Sequence, residues 1–143
     1  MAKGLLATAS ITVKTDAMRV WRALIDPGQI KEYLYGTNAI SDWRVGSSIS
    51  YKGEWKGHAY EDKGTILEME PGKKFVSTYW SGMAGKPDVP ENYVTVTYEL
   101  HENGDETQID LSQDGNDTEE ARDQSVANWN MVLGGLKKVV EAN

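Results

Sequence analysis

DTEEARDQSVANWNMVLGGLKKVVEA, residues 117–142, decides the fold. Val126, Trp129, Leu133, Leu136 and Val140 recur at steps of three and four, a spacing that gathers them on one face of a helix. Asn116 or Asp117 is placed to cap its start, and Glu119 and Glu120 suit the positive end of its dipole. A long helix with one apolar face needs a sheet to lie on. Where that sheet is curved, a hollow remains between the two, and such hollows hold small apolar molecules.

The sequence ahead of it supplies the sheet. Ala7, Ala9, Ile11 and Val13 alternate in LLATASITVK, the pattern of a half-buried strand. Thr15 or Asp16 offers an N-cap, and Ala17, Val20, Trp21 and Leu24 follow at helical spacing. Asp26-Pro27-Gly28 stops that helix, and a second short helix is expected over Gln29 to Tyr35. Five strands should follow, at about 49–55, 60–70, 73–80, 93–101 and 107–111. Turns are expected at Gly57-His58, Pro71-Gly72 and Asn103-Gly104, with a loop from Ser81 to Asn92 that includes Gly82 and Gly85. Short turns imply antiparallel pairing. The fold class is therefore α+β: a curved antiparallel sheet wrapped around a long C-terminal helix, with two short helices after the first strand. One domain spans 1–143.

Bulk properties exclude several classes. The chain of 143 residues is of single-domain length, with 39 % hydrophobic and 26 % charged residues, ordinary for a globular protein. It has no cysteine, hence no disulfide framework or thiolate chemistry. No apolar run reaches the ~20 residues of a membrane span, and no signal peptide is recognisable, so a cytoplasmic location is expected. The net charge of −7 and the lack of a basic stripe argue against nucleic acid. His58 and His101 are too few for a zinc set, and the acids around Asp114–Glu120 lack the spacing of a calcium loop. No metal and no cofactor is expected.

Several local motifs look familiar. VWRALIDPGQIKEYL (20–34), DWRVG (42–46, read as a strand ending in a turn), GTILEMEPGKKFVSTYW (64–80), YVTVTYEL (93–100) and the Trp129-to-Val140 segment occur in this order. Together they resemble the family of activator of heat-shock protein 90 ATPase homologue-like proteins. That family belongs to the START-like (SRPBCC) superfamily of helix-grip folds, which includes birch-pollen-allergen-like proteins and polyketide cyclases. The resemblance covers nearly the whole chain. It departs where Gly46 is followed by Ser47-Ser48 rather than a second glycine, and no counterpart is expected of the extra N-terminal domain of the eukaryotic co-chaperone.

Five tryptophans and seven tyrosines are the richest source of candidate site residues. Such rings pack cores, and they also line pockets that need apolar walls and a single polar atom. The cavity candidates are Trp21, Tyr51, Trp55, Trp80, Val96, Tyr98, Trp129, Leu133 and Leu136. Gly134-Gly135 costs about 2 kcal/mol of helix propensity, which implies close approach to the sheet, a slight bend, or room for a ligand. The leading expectation is binding of a small hydrophobic or aromatic ligand between sheet and helix. A cyclase-, aromatase- or hydrolase-like enzyme would use the same cavity, with Tyr60, Glu54, His58 or Tyr93 as its polar groups and Glu54 facing Glu61 across a hairpin. A chaperone-interacting module and a homodimer are the remaining readings.

Overall fold

The computed structural model describes residues 4–34, 36–81 and 86–142. Its elements run β1 (Leu5–Val13), α1 (Ala17–Ile25), α2 (Pro27–Tyr33), β2 (Asn38–Ser41), β3 (Ser48–Trp55), β4 (His58–Glu70), β5 (Lys74–Tyr79), β6 (Val94–Asn103), β7 (Glu106–Asn116) and α3 (Glu119–Glu141). The strands form one antiparallel sheet in the order β1-β7-β6-β5-β4-β3-β2. This is the α+β helix-grip architecture. Among the described residues, no helix is long and apolar enough to cross a membrane.

Local chemistry explains the element ends. The Asp16 carboxylate accepts from the Arg19 N–H and opens α1. Asp26 ends α1 and caps α2 through the Gly28 N–H, with Pro27 in the first turn, where its missing donor costs nothing. The Asp-Pro-Gly break therefore begins the second helix rather than merely ending the first; Tyr35, its expected end, lies outside the described residues. Thr118, not Asn116 or Asp117, caps α3, its hydroxyl accepting from Ala121 N–H at 3.0 Å. Asn116 instead ends β7 and donates to the Leu5 carbonyl oxygen.

Some strand boundaries differ from those expected. β2 is an additional edge strand paired to β3. Residues 42–46 are a bend and turn, not a strand, and Trp43 within them has φ +55°. The β3–β4 hairpin turns at Lys56-Gly57, one residue earlier than expected; both have positive φ, as a mirror-image turn requires. The β6–β7 turn is Gly104-Asp105. Gly82 and Gly85 lie outside the described residues.

The core sits between the concave face and the helices. Leu133, Leu136 and Val140 of α3 are buried with Val13, Val20, Trp21, Ile30, Ile109 and Leu111, and α3 runs chiefly along β1. Burying a Leu or Val of this kind contributes roughly 1.5–3 kcal/mol. Register shifts at Leu5/Ala7 and Ile66/Glu68 bend the sheet. Gly64 lets β4 and β5 approach: a Cβ there would overlap the Thr78 carbonyl oxygen. Space remains beneath the N-terminal half of α3.

Candidate functional site

A cavity of about 270 Å³ occupies that space. Its floor is a row across the sheet: Ser77 of β5 pairs with Val96 of β6, which pairs with Gln113 of β7. Of the three, Gln113 reaches the helix above, through Trp129. Phe75, Tyr79 and Tyr98 wall the row, and Tyr51 of β3 sits opposite Asp62 of β4 on one side. Leu24, Tyr33, Leu34 and Thr37 close another side, and Ser125, Asn128, Trp129 and Val132 of α3 form the roof.

The polar groups are held in place. Trp129 Nε1 donates to Gln113 Oε1 at 2.6 Å, fixing the indole, and the rings of Tyr79 and Tyr98 each meet it edge-on with centroids 6.5 Å away. The Tyr79 hydroxyl donates to Asp62 Oδ2 at 2.7 Å. Tyr33 donates to the Ala23 carbonyl oxygen at 3.2 Å. The Thr37 hydroxyl donates to the Leu34 carbonyl oxygen, so its 2.6 Å contact with Tyr60 has Tyr60 as donor. The hydroxyls of Tyr51 and Tyr98 have no protein hydrogen-bond partner among the described residues.

Burial pushes all four cavity phenols above their ordinary pKa. The neighbouring Asp62 charge adds to this at Tyr51 and Tyr79, and Tyr51 adds to it at Tyr98. They are neutral at physiological pH and serve as hydrogen-bonding groups rather than bases. Asp62 is the one acidic residue in the lining, which includes no Lys, Arg or His. Among the described residues, no three His, Cys, Asp or Glu side chains gather as metal ligands.

Of the nine cavity candidates, Tyr51, Val96, Tyr98 and Trp129 come together on the wall. Leu133 and Leu136 are buried in the core instead, on the strip of α3 that meets β1. Trp21 is also a core residue, edge-on to Phe75 with centroids 6.0 Å apart. Trp80 lies outside the cavity, stacked on Tyr93 beneath the Lys63 ammonium, because it follows the last residue of β5. The Trp55 side chain lies outside the described residues.

The groups named for an enzymatic reading are elsewhere. Glu54 and His58 are exposed, Tyr60 is tied to Thr37, and Tyr93 donates to Asp88 at 2.6 Å. Glu54 and Glu61 do not pair: the register sets Glu54 against Ala59 and Glu61 against Lys52. His101 is exposed and lies 3.2 Å from Asp110.

Asp62, Ser77 and Gln113 went unrecognised in the sequence although each carried a signal, for each is a polar residue on the inward parity of its strand. Gln113 continues the series Ile109, Leu111; Ser77 falls between Phe75 and Tyr79; Asp62 precedes Gly64 and Ile66. A second hollow, about 670 Å³, lies between α1, α2 and α3. It is a more open groove edged by Arg19, Arg22, Glu32 and Lys138, without the aromatic enclosure.

A long helix laid over a bent antiparallel sheet, with an aromatic cavity between them, defines a helix-grip protein. The chain belongs to the family described as activator of Hsp90 ATPase homolog 1-like protein, whose model matches residues 14–141. Among solved structures it is similar to ChR145 from Cytophaga hutchinsonii, at 44 % identity and TM-score 0.85 over 99 % of this chain and 97 % of that one. CalU16 from Micromonospora echinospora shares the fold at 20 % identity and TM-score 0.73, covering 98 % and 86 %. The Aha1 dimer from Colwellia psychrerythraea does so at 16 % identity and TM-score 0.74, covering 96 % of each chain. Comparison with curated proteins gives no significant match.

Proposed function

We propose that the protein binds a small, largely aromatic molecule carrying one polar group, held between the sheet and the N-terminal half of α3. The observation that carries this reading is the pair of phenols at Tyr51 and Tyr98. Both line the cavity, and neither hydroxyl has a protein partner among the described residues. No fully buried polar side-chain atom among the described residues lacks a partner, so these two hydroxyls open onto the cavity and stand ready to hydrogen-bond a ligand there. The remaining wall of Phe75, Tyr79, Val96, Trp129 and Val132 suits ring faces. The volume, about 270 Å³, suits one or two rings rather than a long acyl chain, since a cavity of roughly 150 Å³ accepts benzene.

The test is a panel of one- and two-ring phenols, ketones and amines. Binding is followed through the Trp129 indole N–H resonance in the full-length, nitrogen-labelled protein. A saturable shift is expected, and Val96→Phe, which fills the floor, should abolish it while leaving the fold intact. If no member moves that resonance, or if Val96→Phe binds as wild type does, this assignment of the cavity is wrong.

A further inference from the structure

The groove between α1, α2 and α3 carries a charge balance opposite to that of the chain. Arg19 and Arg22 of α1, Lys138 of α3 and Glu32 of α2 line it, three cations to one carboxylate, whereas the chain has 15 basic and 22 acidic residues. Arg19 is fixed in place. Its guanidinium donates to Gln29 Oε1 of α2 and to the Val139 carbonyl oxygen of α3, so one side chain ties the three helices together. Gln29 is held in turn by Asp26, which accepts from its Nε2 at 2.7 Å. A guanidinium has five N–H donors, and these two bonds do not exhaust it.

Arg22 stands three residues on from Arg19, the spacing of near neighbours on a helix surface. Arg22 and Lys138 are exposed, and neither has a hydrogen-bond or ion-pair partner among the described residues; Glu32 forms no ion pair with either. Elsewhere Lys63, Lys74, Lys86, Arg122 and Lys137 each pair with a carboxylate. Arg22 and Lys138 lie in the last turns of their helices, where positive charge favours the C-terminus. That role accounts for one cation on each helix. It does not account for both lining one groove with a third, where like charges repel unless an anion joins them.

We propose that this groove binds a phosphate monoester, its oxygens accepting from Arg22 and Lys138 with the anchored Arg19 as third cation. Three cations and one carboxylate match a dianion, and hydrogen bonds between such groups and phosphate are charge-assisted. The groove, about 670 Å³, leaves room for the rest of a small molecule.

The test titrates the nitrogen-labelled full chain with glycerol 3-phosphate, and with glycerol as the uncharged control, at neutral pH and constant ionic strength. The Gly135 amide, in the groove lining, is the probe. It should move saturably with the phosphate, at a Kd of about 1 mM or below, and not with glycerol. The Trp129 indole should stay silent, so groove and cavity are tested separately. Arg22→Gln and Lys138→Gln should each weaken binding about threefold, and Glu32→Gln should strengthen it about threefold. Flotation with vesicles of one part phosphatidic acid to four of phosphatidylcholine, against phosphatidylcholine alone, separates the two sources of this group. Retention on the acidic vesicles that Arg22→Gln removes assigns a lipid headgroup; saturation in solution without retention assigns a soluble ester. Silence of Gly135 together with no retention overturns the proposal. So does phosphate binding that is unchanged in all three variants, for the cations would then serve the helix ends alone.

Discussion

The paired glycines of α3 invite a test that separates helix propensity from packing. Gly134 and Gly135 are neighbours in one helix, so alanine at either brings the same intrinsic gain, about 1 kcal/mol. Their surroundings differ. A Cβ at Gly134 has no neighbouring atom within 4 Å, whereas one at Gly135 sits 3.2 Å from the Tyr33 carbonyl oxygen and 3.3 Å from its Cβ. Tyr33 cannot step aside cheaply, because it is buried and its hydroxyl is tied to the Ala23 carbonyl oxygen. Overpacking of this kind costs roughly 1–3 kcal/mol. Gly134→Ala should therefore raise stability by about 1 kcal/mol, or about 3 °C in Tm. Gly135→Ala should be neutral or lose up to about 2 kcal/mol once the propensity gain is subtracted. Urea unfolding followed by circular dichroism, with the slope checked for constancy, measures both. Equal stabilisation by the two alanines would refute the reasoning, because it would mean that α3 does not press on α2. On the proposed function the same pressure bears on the ligand: Leu34 and Val132 both line the cavity, so a variant that lifts α3 from α2 should release ligand faster.

Three other outcomes follow from the site and the sheet. Tyr98→Phe should leave stability within about 0.5 kcal/mol of wild type yet weaken a polar ligand, while Tyr79→Phe should cost about 1–2 kcal/mol by removing the donor to Asp62; urea unfolding and ligand titration of both variants compare the two. Because burial raises the pKa of Tyr33, Tyr51, Tyr79 and Tyr98, the folded state holds protons that the unfolded chain releases from about pH 10. Stability should thus be complete below that pH and fall above it. Four of the seven tyrosines should ionise only as the protein unfolds, a point checked by comparing tyrosinate absorbance with circular dichroism. Gly64→Ala should cost about 3 kcal/mol or more, because its Cβ would overlap the Thr78 backbone, and a variant with wild-type urea midpoint would contradict the close approach of β4 to β5.

Elements whose pattern is long were legible in the sequence. Val94, Val96, Tyr98 and Leu100 alternate over most of β6, and the α3 face repeats over five apolar positions, so both declare their period. β2 has four residues, NAIS, with the isoleucine 56 % exposed, and so short an edge strand carries no period to read. The Asp-Pro-Gly stretch is ambiguous in kind: proline ends one helix and opens another equally well. For the cavity, aromatic residues on inner strands pointed to Tyr51 and Tyr98, but polarity misled. A serine, glutamine or aspartate on a strand reads as solvent-facing, whereas Ser77, Gln113 and Asp62 face the hollow. Parity within each strand held that information; residue type concealed it.

The reading of α3 shows why a core pattern finds only part of such a site. At roughly 100° per residue, Leu133, Leu136 and Val140 form one strip. Ser125, Asn128 and Val132 form another, roughly 80° around the helix, and Trp129 falls within the angular range of the first, one turn nearer the N-terminus than Leu133. The first strip is buried along β1 and anchors the helix; the second roofs the cavity and is partly polar. Hydrophobic periodicity reports the anchor, which is why Leu133 and Leu136 stood out in the sequence and proved to be core. On the proposed function, a roof over a ligand gains nothing from being uniformly apolar: leucines at Ser125 and Asn128 should draw the helix onto Val96 and Ser77 and fill the space. Ser125, which donates to Asn116, and Asn128 make this strip polar, and the tryptophan beside them, fixed through Gln113, gives the hollow an aromatic face.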